Sequence, residues 1–176
     1  MRADPDPTEI IAVLSRTPGM LRTWLAGMPD AWLDANEGPE TFSARDVLGH
    51  LIEGERTDWV PRIRMILEEG ETRTFEPFDR FAFRDTIGGR AIESLCDEFE
   101  QLRRDNLTWL RGRALTPDDF ARRGRHPAFG AVTLGELLAT WTVHDLNHVG
   151  QIARVMSKRY AVAVGPWREY LGILNR

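Results

Sequence analysis

Apolar residues recur at three- and four-residue intervals through most of the chain, the spacing of amphipathic helices. Ile10, Val13 and Leu14 begin the pattern behind Asp6-Pro7-Thr8-Glu9, an N-cap acid with proline at the first helical position and glutamate at N3. Thr17-Pro18-Gly19 interrupts it, and Met20, Leu21, Trp24, Leu25 and Met28 resume it until Pro29-Asp30, so the first helix is predicted to be bent or in two pieces. Ser43-Ala44-Arg45-Asp46 reads as a capping box opening a long helix to about Glu69, with Val47, Leu48, Leu51, Ile52, Ile63, Ile66 and Leu67 as its apolar positions. Pro61 should kink that helix, because it removes a backbone donor and crowds the preceding turn.

Residues 70–89 lack clean periodicity and, with Gly70, Pro77, Gly88 and Gly89, read as a long surface crossover. Ile92, Leu95, Phe99, Leu102 and Leu110 mark a third helix from about Arg90 to Arg111. Thr116-Pro117-Asp118-Asp119 starts a short helical turn, and a glycine- and arginine-rich loop leads to Gly130. A further capping box, Thr133-Leu134-Gly135-Glu136, opens the last long helix, to about Arg159, and Gly165-Pro166 precedes a short C-terminal turn from Trp167 to about Leu174. No alternating strand pattern and no internal repeat is visible. The prediction is an all-α protein, a four-helix bundle with a long helix 2–helix 3 crossover and a short C-terminal helix, in one domain over residues 1–176.

Composition narrows the function classes. With 42% hydrophobic and 28% charged residues in 176, the chain can bury a core without disulfide or metal support. No apolar run approaches a membrane span, and Met1 to Pro7 carries no apolar signal region, so neither a membrane partner nor a secretory signal is expected. The single cysteine, Cys96, fits a reducing compartment, and a cytoplasmic location is expected. A net charge of −4 and a pI near 5.6 have the wrong sign for coating nucleic-acid phosphates, so no nucleic-acid partner is expected. Lys158 is the only lysine; the scattered arginines fit codon bias rather than a binding stripe.

The last helix carries Leu134, Leu137, Leu138, Trp141, His144, His148, Ile152 and Val155 along one stripe. His144 and His148, four apart, project from the same face one turn apart and can chelate one divalent cation. The same pattern also fits two buried histidines hydrogen-bonded within the bundle. His50, beside Val47 and Leu48 on the second helix, offers a third imidazole. Two neighbouring designs fit less well. A metalloprotease helix needs glutamate directly after its first histidine, where Asp145 stands here, and a di-iron bundle needs several Glu-x-x-His sets, of which only Asp145-x-x-His148 is an imitation.

Ala44-Arg45-Asp46-Val47-Leu48-Gly49-His50-Leu51-Ile52 resembles the second-helix motif of the DinB/YfiT-like superfamily of candidate metalloenzymes. His126-Pro127-Ala128-Phe129-Gly130, leading into Thr133 to Leu138, resembles the approach to that family's last helix, and His144-Asp145-Leu146-Asn147-His148-Val149-Gly150-Gln151-Ile152 resembles its paired-histidine motif. The resemblance runs from about Glu9 to Leu174. It implies a four-helix bundle with a divalent metal, zinc or nickel, held by His50, His144 and His148, and a homodimer. Three neutral imidazoles leave the ion its full charge and an open position, so the site would be catalytic, activating a water or thiol.

Family members that use low-molecular-weight thiols such as mycothiol and bacillithiol make a metal-dependent thiol S-transferase the first expectation, with the thiol as cosubstrate and a small-molecule electrophile as substrate. A metal-dependent hydrolase and a non-catalytic metal- or small-ligand-binding protein are the alternatives. Asp145 and Glu53 are candidate bases, Asp145 could bond the free nitrogen of a histidine or lie on a solvated shoulder, and Gln151 could orient a ligand or a bound water. Arg122, Arg123 and Arg125, ahead of His126, either steer an anionic thiol or carboxylate or form a solvated face. His126 is a chemically able fourth ligand whose loop position argues against it, Cys96 suits a small core residue, and Trp59, Trp109 and Trp141 read as core or interface residues.

Overall fold

Three of the helical stretches are apolar toward both ends and polar in the middle, and that pattern organises the molecule. The computed structural model describes residues 5–175; Met1 to Asp4, part of the run expected to carry no secretory signal, lies outside them. Four helical stretches make the bundle. The first is split into α1 (Pro7–Leu14) and α2 (Thr17–Leu25), and the second into α4 (Ala44–Thr57) and α5 (Trp59–Glu68), with the single turn α3 (Asp30–Leu33) between the two stretches. The third and fourth are α7 (Ile92–Arg111) and α9 (Leu134–Ser157); α6 (Arg84–Ile87) and α8 (Pro117–Phe120) are single turns, and short 3-10 turns finish the chain. Among the described residues no helix is long and apolar enough to cross a membrane.

The capping signals act as read. Asp6 accepts from the Thr8 and Glu9 amides, and Ser43 and Thr133 close reciprocal boxes with Asp46 and Glu136. The second long helix breaks at Asp58 rather than at Pro61. Pro61 has no N–H to give the Thr57 carbonyl and its ring crowds that carbonyl, so the interruption falls one turn ahead of the proline. Asp58, with φ −109° and ψ −67°, is the hinge residue this creates.

Two corrections concern the connections. The predicted loop ahead of Gly130 is an antiparallel hairpin, β1 (Arg123–His126) and β2 (Gly130–Thr133), in the register Arg123 to Thr133 and His126 to Gly130. Its strands have four residues each and only Gly124 is buried, so no alternation could announce them. The crossover is also not confined to the surface. Phe75, Phe83 and Ile87 are buried, and the Phe75 amide donates to the Arg125 carbonyl at 2.8 Å, tying the crossover to the hairpin.

Glycine makes both approaches possible. A Cβ on Gly49 would sit 2.8 Å from Phe83 and 2.9 Å from Ile87, and one on Gly124 would sit 2.7 Å from both Ile66 and Phe75. Gly124→Ala is therefore expected to lower stability by roughly 1–3 kcal/mol through overpacking, measured as a reduced urea midpoint at unchanged slope.

The core has two apolar halves. One gathers residues of α2, the first turns of α4, α6 and α7, and the C-terminal turns of α9, around Leu48, Ile52, Leu95, Phe99 and Ile152. The other gathers α1, α5, the end of α7 and the start of α9, around Trp59, Ile63, Leu107, Leu138 and Trp141. Between them α4 contributes His50 and Glu55, α7 contributes Arg103, and α9 contributes Asp145 and His148, all buried.

Candidate metal centre

His50 on α4 and His144 and His148 on α9 meet in this polar middle, with one ligating atom from each within 4.8 Å of the others. The i,i+4 spacing stacks the two α9 rings on the face that packs against α4. His144 Nε2 lies 3.2 Å from His50 Nε2 and 3.0 Å from His148 Nε2. The rings are wedged in place: Phe42 and Phe78 pack on His50 at 5.5 and 5.4 Å, and the edge of Trp59 meets His144 at 5.1 Å.

These nitrogens cannot satisfy one another. His148 Nδ1 donates to Gln151 Oε1 at 2.7 Å, which leaves His148 Nε2 as a lone pair aimed at His144. His144 Nε2 carries either a proton or a lone pair, so at most one of its two short contacts is a good hydrogen bond. Extra protons do not resolve the conflict. Burial, reinforced by the neighbouring imidazoles, pushes His144 down to about 3 and His50 down to about 4, and burial also lowers His148.

Three neutral imidazoles with converging Nε2 atoms are the donor set of a divalent ion. Two nitrogens on a tetrahedral zinc are about 3.3 Å apart, close to the spacing present. His50 and His144 also bury Nδ1 atoms without hydrogen-bond partners. The residues fit a zinc- or nickel-like ion, and they would bind it through Nε2.

The same shifts dictate a pH dependence of the metal-free protein. Unfolded imidazoles take up protons near pH 6.5, whereas folded His50 and His144 resist protonation to about 4 and about 3. The unfolded chain thus binds more protons across that window, and stability falls as pH drops from about 6.5 toward 4. After chelation, the urea midpoint is expected to fall between pH 7 and pH 5 by the equivalent of on the order of 2–3 kcal/mol, and by less in His144→Asn.

Beneath the histidines lies a buried ionic layer. Arg103 Nη1 and Nη2 grip Asp145 at 2.6 and 3.0 Å, Nη2 also reaches Glu55 Oε1 at 2.8 Å, and Nη1 donates to the Leu14 carbonyl at 2.8 Å. Trp141 Nε1 donates to Glu55 Oε1 at 3.0 Å, and Asn106 Nδ2 donates to Oε2, also at 3.0 Å. Burial alone would lower the Arg103 pKa, but the two carboxylates outweigh it and hold the guanidinium charged. Two carboxylates against one guanidinium leave this layer net negative beside the histidines. Asp145 is thus neither a histidine partner nor a solvated shoulder; Arg103 takes both of its oxygens.

His50 and His144 open onto a cavity of about 450 Å³ between α4, α5, the crossover, the hairpin and α9. Asp58 and Arg62 are on its wall, joined by a 2.8 Å ion pair. Burial pushes the Asp58 carboxyl up to about 6, against the pull of Arg62. Trp59, read from the sequence as core or interface, is buried and also walls this cavity. His126 is there too, with its Nδ1 accepting from the Ala128 and Phe129 amides, which occupies that nitrogen within the hairpin.

Glu53, Arg122, Arg123 and Arg125 are not among the cavity-lining residues. Arg122 instead bonds the Leu67 carbonyl and pairs with Asp119. Gln151 bonds the His148 imidazole, and Cys96 is a core residue whose thiol burial pushes up to about 11.

Comparison with known proteins agrees with this architecture. A curated relative from Oceanobacillus iheyensis, named as a candidate metal-dependent hydrolase, is 21% identical over 152 residues, 86% of each chain. YfiT from Bacillus subtilis, described as a probable metal-dependent hydrolase with an unusual four-helix bundle topology, shares the fold with a TM-score of 0.73, at 24% identity and over 88% of this chain and 87% of that one. The profile of the DinB superfamily matches residues 14–152, a span that holds all three histidines, and the chain belongs to that superfamily.

Proposed function

We propose that this protein is a metal-dependent enzyme that hydrolyses a small molecule held in the cavity beside His50 and His144. The observation that carries this reading is the convergence of three neutral imidazole nitrogens at the wall of a cavity of ligand size. His50, His144 and His148 would hold a divalent ion, which would supply Lewis-acid activation of a nucleophile from solution and of the substrate's polar bond. The chain's own residues do the rest. Gln151 holds His148 in the tautomer that presents Nε2, and the aromatic wedge fixes the other two rings. Asp58, with its pKa near 6, is mostly ionised at pH 7 and suited to accept a proton. Relatives named as metal-dependent hydrolases support the same reaction class.

Thiol S-transfer is the second reading, and the burial of the one cysteine, Cys96, favours an exogenous thiol for it. With Cys96 in the core, a thiol that attacks in the cavity would come from solution, such as mycothiol or bacillithiol. Zinc- or nickel-loaded protein assayed on a panel of esters and amides, with and without thiol, separates the two. Metal-dependent hydrolysis without thiol is expected; adducts formed only with thiol would establish transfer, and binding without turnover would leave a metal- or ligand-binding protein.

A cytoplasmic homodimer belongs to the same proposal. Exposed Val143, Leu146, Val162, Trp167 and Tyr170 support self-association. Light scattering should then give twice the 20.1 kDa chain mass.

A further inference from the structure

We infer that the cavity selects an uncharged molecule with a flat aromatic body, whose reactive group lies at the histidine end. This deepens the hydrolase reading and rests on the cavity being its substrate site. The walls are rings and prolines from three separate elements: Trp59 from α5, Phe75, Pro77 and Phe78 from the crossover, and Pro127 and Phe129 from the hairpin. Offset stacking and edge contacts on such walls reward a planar apolar ligand.

Asp58 and Arg62 on the wall are already paired with one another. Arg62 gives Nε to Asp58, gives Nη2 to the Glu76 carbonyl at 3.1 Å, and lies over the Phe75 ring at 5.3 Å. Its Nε–Nη2 edge is thus taken, which closes the side-on fork that would grip a carboxylate, phosphate or sulfonate. The same pair balances the Asp58 charge. In the metal-free protein an anionic ligand would lose its hydration and meet only a guanidinium that Asp58 and the Glu76 carbonyl already share, whereas a neutral aromatic body loses little and covers apolar wall. Phe129, 78% exposed and stacked on His126 at 4.5 Å, stands at the rim where such a body would enter.

The probe is 2-naphthol, with naphthalene-2-sulfonate as its anionic match. Each is titrated by calorimetry into the full chain, once chelated and once zinc-loaded. In both states 2-naphthol should bind saturably, and the sulfonate should bind the chelated protein at least about tenfold more weakly. Val132→Trp, which fills the cavity from the hairpin side, should weaken naphthol about tenfold or more. Phe129→Ala, at an exposed position, should weaken it by roughly threefold.

Equal binding of sulfonate and naphthol by the chelated protein, no saturable naphthol binding, or unchanged affinity in both variants overturns the inference. Naphthol binding without metal-dependent cleavage of 2-naphthyl acetate overturns the hydrolase reading alone. Cleavage of aliphatic esters without naphthol binding overturns the aromatic selectivity alone.

Discussion

Wild-type protein reconstituted with zinc or nickel and then desalted is expected to retain about one metal ion per chain, and His148→Ala essentially none. The three Nε2 atoms provide all the convergent lone pairs of the site, so removing His148 leaves the ion only two protein ligands, His50 and His144, on two different helices. Gln151→Leu should fall between these extremes. It keeps all three imidazoles but frees His148 to turn or to take the other tautomer, and loss of such a partner weakens metal binding by roughly 10–100-fold. Elemental mass spectrometry after dialysis against graded chelator reads both effects. Retention of metal by His148→Ala would move the binding site elsewhere. Loss in His148→Ala with unchanged affinity in Gln151→Leu would leave the ligands but remove the tautomer argument.

Much of this centre is visible in the sequence, and the reason is local. Helix capping boxes act within four residues, and the i,i+4 histidines share a helix face by geometry alone, so α4, α9 and the pair His144/His148 can be placed without tertiary information. His50 joins them through the family resemblance. The cavity is different, because its walls come from the crossover and hairpin. Phe75 and Phe78 lie in a segment with no period, and what holds that segment inward is steric permission at Gly49 and Gly124 together with one amide of Phe75. A glycine that leaves room for a distant phenylalanine looks like any other glycine in the sequence.

Asp58 is missed for a related reason. It matters because the helix breaks there, and the break is displaced by one turn from the proline that causes it.

The ionic layer, by contrast, leaves a signal that reading for apolar stripes passes over. Glu55 follows Leu51 by four and Ile52 by three, Arg103 lies four from both Phe99 and Leu107, and Asp145 lies four from Trp141 and three from His148. Each charge occupies a core position of an otherwise apolar helix face. One such residue can be an exposed edge of the stripe. Three on three helices, of both signs, indicate charges meeting inside the bundle, since a buried charge needs a partner.

Arg103→Met is accordingly expected to destabilise the protein by roughly 3–5 kcal/mol, a drop of about 10 °C or more in Tm for a chain of this length. Methionine fills much of the volume but leaves Glu55 and Asp145 buried with no cation and strips the Leu14 carbonyl of its donor. In that background, Asp145→Asn and Glu55→Gln should each recover part of the loss, because each removes an uncompensated charge while keeping its shape. In the wild-type background the same substitutions should instead cost stability, and this reversal of sign identifies the ion pairs rather than packing as the cause. A loss below about 1 kcal/mol in Arg103→Met would mean that the layer contributes little beyond filling space.

The layer also bears on the metal. It joins α4, α7 and α9 at the level of the histidines and carries one excess negative charge, so charge-neutralising variants that still fold should bind zinc more weakly than wild type. Hydrophobic residues could hold these three helices together at least as well. A net-negative cluster in their place makes physical sense if the neighbouring histidines hold a dication.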